Sequence, residues 1–385
     1  MLKNYVKVAF KVLLRRKFFT FISLFAISFT LIVLMVATAF LDHLVGPMPV
    51  ETRWDRTLGV SFMQMSGEQS RQNGPPGYGF LNRYARDLPN VEHTSFFSRA
   101  KAAYSYKDGQ KIKSYLKRTD GEFWRILDFN FIEGSPFTTD DERNGNFVAV
   151  INDATRKKFF GDQRAVGQTI EIDGQRFQVV GVVENIPLFG DVPFSDVWVP
   201  ISTQKTRAHE SQFIGDYGAM IVARSSADFP AIKDEFQSRL ARVELPDPKT
   251  YKEMSGQLET YLQLKARMVN TDNSPGSLTR LIVTVAIAMV LFMLLPTINL
   301  ININVSRILE RASEIGVRKA FGASSWTLVG QFVVENVLIT LVGGVIGFLG
   351  SLAVLYAIGE SGMLPYAEFN LNYRIFFFAL VIALF

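Results

Sequence analysis

His43, His93 and His209 are the three histidines of the chain, too scattered to form a local metal motif. His209-Glu210 opens like a zinc-protease helix, but Phe213 stands where the second histidine ligand belongs. Asp140-Asp141-Glu142 gathers three acids without the alternating ligand spacing of a calcium loop, and reads as a solvated turn. No glycine-rich segment ends in Gly-Lys-Ser/Thr to cradle nucleotide phosphates, and no Gly-x-Ser-x-Gly elbow presents a serine. The chain has no cysteine, which excludes thiol catalysis, disulfides and zinc–thiolate sites. These residue types make no catalytic cluster and no metal or cofactor site, so the chain reads as non-catalytic.

The spacings that remain are mechanical. Glu310 to Gly322, ERASEIGVRKAFG, is a charged, helix-prone segment held between two long apolar runs. Glu310, Glu314 and Arg318 recur every four residues, and a Glu314–Arg318 helix pair contributes only a few tenths of a kcal/mol. Ile315, Val317 and Phe321 then face outward beside Lys319, while Gly316 and Gly322 permit tight turns or close approach. A solvated helix accounts for the charges but poorly for the apolar residues between them, so the segment reads as a docking element. Further on, Gly343, Gly347 and Ser351 are spaced by four, which lets helix backbones approach closely in lipid. Spacing alone leaves open a groove within one subunit or a seam between copies. Glu335 is an apolar-run carboxylate flanked by Gln331 and Asn336, read as a satisfied structural group near an interface.

The elements that position these residues follow from hydropathy. With 48% hydrophobic and 20% charged residues, the chain suits membrane spans joined to a sizeable water-exposed domain. Residues 18–41 carry no charge, and 24 helical residues reach across a hydrocarbon core of about 30 Å. Residues 281–306, 326–358 and 375–385 are the further candidate spans, and the sequence stops about half way through the last. A cleaved signal peptide ending near Ala37-Thr38-Ala39 is the competing reading of the first, but its apolar region is longer than the ~7–15 residues usual there. Six basic residues precede the first span, and Arg307, Arg311, Arg318 and Lys319 follow the second, which places both sides in the cytoplasm. Residues 307–325 are then cytoplasmic, while 42–280 and the short loop 359–374 lie outside. Residues 1–17, with Lys3, Lys7, Lys11 and Arg15 on one face, read as a basic amphipathic helix on the inner leaflet lipid. The basic residues cluster beside apolar runs, a topology signal that points away from nucleic acid.

Residues 42–280 read as a mixed domain. A glycine- and proline-rich loop at 74–79 precedes helical spacing at Phe80, Leu81, Tyr84 and Leu88. Asp120 reads as the cap of a short helix through Phe123, Trp124 and Leu127. Strand patterns fall at 147–151, 197–199 and 219–223, with a hairpin over 169–183 turning at Asp173-Gly174. Ile232, Phe236 and Leu240 mark an amphipathic helix within 228–242. The fold class expected is a four-helix membrane protein, its fourth helix truncated, with a large α+β extracytoplasmic domain in two lobes.

Glu314 to Ala323 (EIGVRKAFGA), followed by Gln331-Phe332 and Glu335, resembles the pattern of MacB/FtsX-type ABC transporter permeases, the mechanotransmission type. Glu133 to Phe137, Val148 to Asn152, Lys158 to Gly161, Val166 to Gln168 and Val179 to Val183 look like the MacB-type periplasmic domain. The resemblance spans essentially the whole chain, although the short fourth span departs from it. It implies a permease in the bacterial inner membrane, its N-terminus cytoplasmic and its large domain periplasmic. It further implies two copies of a separate ABC ATPase carrying ATP and Mg, and a second permease, identical or related. A periplasmic adaptor and outer-membrane channel are also implied. Glu310 to Gly322 would be the coupling helix, and efflux of drugs, peptides or lipids the activity. Lipoprotein release, or FtsX-like signalling to an external partner such as a cell-wall hydrolase, are the alternatives.

Overall fold

The computed structural model describes residues 15 to 361 and 377, apart from 16, 108, 189–190, 271–275, 311 and 323. The amphipathic helix expected at 1–17 and the loop and span expected at 359–385 lie outside the described residues except at their margins. The chain divides into a helical unit and an α/β unit, the latter covering residues 45–279.

Helix α1 (Lys17–Val45) is 29 residues without an interior proline or glycine, and it ends at Gly46-Pro47, which cannot continue it. The α/β unit follows. It opens with β1 (Thr57–Val60), β2 (Met63–Ser66), β3 (Arg71–Gly74) and β4 (Val91–Ser98), then the long hairpin β5 (Lys101–Lys107) and β6 (Gln110–Thr119). Next come β7 (Phe131–Gly134), β8 (Val148–Asn152), α2 (Asp153–Phe160), β9 (Thr169–Ile172) and β10 (Gln175–Val183). β11 (Val197–Pro200), β12 (Tyr217–Ala223), α3 (Phe229–Ala241), β13 (Glu253–Gly256), β14 (Glu259–Thr260) and α4 (Tyr261–Asn270) complete it.

The local chemistry of these elements is visible in their residues. β9 and β10 pair antiparallel with Ile172 opposite Gln175, and Asp173 and Gly174 both take positive φ, the two-residue turn that matches strand twist. Glu122, not the expected Asp120, is the N-cap of the single turn Phe123–Ile126, but Asp120 Oδ1 still accepts from its first amide, Phe123 N, at 3.1 Å. Ile232, Phe236 and Leu240 bury one face of α3. One mixed sheet runs β14-β1-β12-β4-β6-β11-β8-β10-β7, with β5 added to β6 and β9 to β10, and β13-β2-β3 form a second, smaller sheet.

The expected two lobes take the form of two halves of that one sheet. β4 and β6 join them through a single partner pair, Phe97 with Thr119. On one half, Leu58, Phe80, Phe96 and Phe236 belong to one core; on the other, Ile151, Phe177 and Val197 belong to a second. A third core, including Phe97, Trp198 and Val222, draws on both halves and prevents them from being independent domains.

The two chain connections of the domain are tied together. The Tyr261 hydroxyl, at the start of α4, lies 2.7 Å from Glu51 Oε2 and 3.1 Å from Gly46 O. Burial, together with the Glu51 charge, pushes the Tyr261 hydroxyl pKa up, so it stays a hydrogen-bond donor. The segment arriving from α1 and the one leaving through α4 are therefore neighbours.

The helical unit continues with α5 (Ser277–Glu310), α6 (Ala312–Ala320) and α7 (Ser325–Glu360). α5 has 34 residues, about 51 Å of helix. Among the described residues two helices are long and apolar enough to cross a membrane, Thr20–Asp42 and Val333–Glu360, and Ser277–Ala288 is a shorter apolar run.

Candidate functional site

α6 is a nine-residue helix closed by Gly322, whose φ of 88° is strained for any residue with a β-carbon. Phe321 N bonds Val317 O at 3.1 Å and Gly322 N bonds Lys319 O at 3.0 Å, which satisfies the terminal carbonyls. Arg318 and Lys319 fall in the last turn, where the negative end of the helix dipole favours cations. Ile315 is half-buried, but Val317, Phe321 and Trp326 are 57%, 88% and 86% exposed. Gly316 sits mid-helix, and among the described residues a β-carbon built on it would meet nothing within 4 Å. Glycine there costs roughly 0.5–1 kcal/mol relative to alanine, and nothing in the described residues requires it. The side chains of Glu310 and Glu314 lie outside the described part.

Behind α6, one row of α7 is buried without a break. Glu335, Ile339, Gly343, Gly347, Ser351 and Leu355, spaced by four, are all buried. α1 answers with Ser23, Ile27, Leu31, Met35 and Ala39, also spaced by four and all buried. A β-carbon at Gly343 would lie 2.7 Å from Ile27 Cγ2, one at Gly347 2.9 Å from Leu31 Cβ, and one at Gly350 2.5 Å from Ile32 Cδ1. The partners rise together along both helices, so α1 and α7 run parallel. Ser28 Oγ donates to Gly343 O at 3.0 Å, a bond that close approach alone makes possible. The small-residue spacing is thus a groove filled by this chain's own α1, and Glu335 and Ser351 are parts of the same ridge.

The α/β unit holds a polar cleft of about 500 Å³ lined by Tyr78, Arg86, Glu142 and His209 among others. The acidic run beside it is solvated at Asp140 and Asp141, as its composition suggests, but not at Glu142. Thr138 caps Thr139–Arg143, its Oγ1 accepting from Asp141 N at 3.2 Å while Thr138 N donates to Asp141 Oδ2 at 2.8 Å. This turn swings Glu142 inward, where its Oε2 accepts from Gly121 N at 3.2 Å. Burial, then the nearby Asp120 charge, push Glu142 up to about 7. Burial pushes Asp120 up to about 6, although Ser95 Oγ and Phe96 N donate to it at 2.7 and 2.8 Å. His209 is buried, its Nδ1 3.0 Å from Thr206 O and its ring against Tyr78, a structural setting. His93 Nδ1 is 3.0 Å from Glu122 Oε2. Among the described residues no three His, Cys, Asp or Glu side chains gather as a metal set.

The structure therefore joins Glu335, Gly343, Gly347 and Ser351 into one seam, and leaves Gly316 and Val317 of α6, and Phe321 just after it, facing outward. Sequence reasoning missed Ile339 and Leu355 of that seam, though stepping back and forward by four from Gly343 reaches both. It also missed Asp120 and Glu142 as a pair, which no local spacing connects.

Residues 20–239 match the family of the MacB-like periplasmic core domain, and residues 286–385 match the FtsX-like permease C-terminal family. The pyoverdine export ATP-binding/permease protein PvdT of Pseudomonas fluorescens (strain Pf0-1) is 29% identical over 296 residues, 75% of this chain and 43% of that protein. The macrolide export ATP-binding/permease protein MacB of Aggregatibacter actinomycetemcomitans is 28% identical over 289 residues, 71% of this chain and 42% of that protein. The chain spans less than half the length of these relatives. The crystal structure of the periplasmic region of MacB from Actinobacillus actinomycetemcomitans gives a TM-score of 0.41 at 14% identity, covering 58% of this chain and 96% of that one.

Proposed function

Because the chain belongs to the MacB/FtsX-like family of ABC transporter permeases, we propose that it is the membrane subunit that carries ATP-driven motion from a separate cytoplasmic ATPase to its α/β domain. The observation that carries this reading is α6: a short capped helix with an open glycine, Gly316, between exposed apolar side chains and basic ones. An ATPase groove pressed against Gly316 would cover Val317 and Phe321 and meet Arg318 and Lys319.

In this reading the chain lies in the bacterial inner membrane with α6 cytoplasmic and the α/β domain periplasmic. α1 and α7 run parallel, as two spans leaving the cytoplasm do, and α5 is long enough to bring the chain back between them. Two such permeases, identical or related, sit on two ATPase copies that bind ATP and Mg. Motion reaches the α/β domain through the connections that Tyr261 ties together. Efflux through a periplasmic adaptor and an outer-membrane channel is the activity favoured, by analogy with relatives named for pyoverdine and macrolide export.

Gly316→Glu and Arg318→Glu test this reading. Each is expected to abolish permease-stimulated ATP hydrolysis while the melting of the protein stays put. Unchanged stimulation in both would refute α6 as the coupling element. Mass spectrometry of the complex from its native membrane separates the activities. An ATPase with an adaptor supports efflux, and an ATPase with a hydrolase supports signalling.

A further inference from the structure

A second cavity of the α/β unit, about 580 Å³, opens between β1, β12 and α4. That volume suits a drug-sized molecule. Its walls are mostly apolar: Gly59 and Met220 from the sheet, Phe97 from β4, and Trp54 and Leu264 from the two chain connections. No described side chain of this protein fills the space between them.

The charged lining is unevenly compensated. Arg53, Arg99, Lys265 and Arg267 face two acids, Glu51 and Asp191. Glu51 is already engaged by Met48 N and the Tyr261 hydroxyl, and Arg267 is held by Glu259. Arg53 donates to the carbonyl oxygens of Arg125 and Ile126, neutral acceptors that leave its charge in place. Arg99 is exposed. Among the described residues neither Arg53 nor Arg99 is paired with a carboxylate. An apolar chamber edged by two such arginines suits a ligand with an apolar body and one anionic group.

We propose that this cavity binds an anionic amphiphile, its apolar part on Trp54, Met220 and Leu264 over the bare backbone of Gly59, and its anionic group at Arg53 and Arg99. The site belongs to the α/β unit alone and stands whether or not α6 couples to an ATPase.

The test uses the full chain in nanodiscs of zwitterionic lipid, a diazirine-bearing dodecanoate as probe, and peptide mapping after photolysis. Label is expected on residues 51–62 and 261–267. Arg99→Glu, on an exposed side chain, should cut that label about tenfold, the loss of one charge-assisted contact. Leu264→Trp should block it by filling the chamber. The uncharged diazirine dodecanol should label these peptides about tenfold less than the acid. Phosphatidylglycerol added to the disc separates two sources of ligand: suppressed label assigns a membrane lipid, persistent label a water-borne amphiphile. Label confined to the membrane helices, or equal label in wild type and Arg99→Glu with unchanged melting, overturns the proposal.

Discussion

Gly316 and Gly347 are the same residue in two helices of one membrane unit, and their surroundings are opposite. Around Gly347 an added β-carbon would lie 2.9 Å from Leu31 Cβ and 3.1 Å from Ser28 O. Around Gly316 it would meet no described atom within 4 Å. The first glycine is explained by the chain itself, because α1 fills the space a side chain would need. The second weakens a short helix for no internal gain, and its neighbours Val317 and Phe321 are left bare. The contrast separates a helix seam made within the subunit from a surface that, in the proposed reading, meets a partner.

The strongest way to break that contrast is to put leucine at both positions. Gly347→Leu forces a side chain into Leu31 and the α1 backbone, and should destabilise by about 3 kcal/mol, the upper end of what overpacking costs. A sharply lower melting temperature of the purified protein would register it. Gly316→Leu should melt no lower than the wild type and lose ATPase stimulation. If the two variants melted alike, the distinction between seam and docking surface would collapse.

A pH scan sharpens the comparison from the α/β unit, leaving both glycines untouched. Glu142, held near 7 by burial, keeps its proton in the folded state between roughly pH 4.5 and 7, where the unfolded chain releases it. The folded state is therefore favoured below about pH 4.5, and this contribution is lost as pH rises through about 7. Asp120 adds the same sign up to about pH 6, Glu122 reinforces it, and Arg86 opposes it. Glu142→Gln should flatten the decline by about 2 kcal/mol, read as the melting temperature of the α/β transition between pH 5 and 8. An identical slope in the variant would remove Glu142 as its cause.

The legible part of this architecture was carried by short-range spacing. Asp173-Gly174 announced its hairpin, and Ile232, Phe236 and Leu240 their helix face, because turn chemistry and period act within a few residues. Gly343, Gly347 and Ser351 announced a groove but not its occupant. The answering row on α1 is apolar within a helix that is apolar all round, so no periodicity distinguishes Ile27 or Leu31 from the lipid-facing Phe25 and Phe29. The acidic cleft was illegible for a different reason. Asp120 and Glu142 are brought together when Gly121 receives the turn at Thr139, and a composition of three acids reads as solvent-exposed until that packing is known.

Gly316→Ala probes the docking side of the comparison more gently. Alanine should raise stability by roughly 0.5–1 kcal/mol by removing backbone freedom from the unfolded chain. Helicity of a peptide spanning residues 310–322 should rise accordingly. ATPase stimulation by the whole protein should fall at the same time, since the added methyl stands where a partner would approach. A gain in both would mean that nothing presses on Gly316, and would return α6 to the solvated helix its charges alone describe.

The smallest expected effect tests the seam from its other side. Ser28 donates across the helix pair to Gly343 O, and it can do so because no side chain at Gly343 holds the backbones apart. Interhelical bonds of this kind contribute about 0.6 kcal/mol in lipid. Ser28→Ala should cost that much and no more, since alanine keeps the contact with Gly347, and a small, parallel shift in melting should leave ATPase stimulation intact. Gly343→Ala, which crowds Ile27, should cost more than Ser28→Ala, and the double variant less than their sum, because the serine bond is already strained once the helices part. Strict additivity would show that the bond and the close approach are independent, and that the groove is held by apolar packing alone.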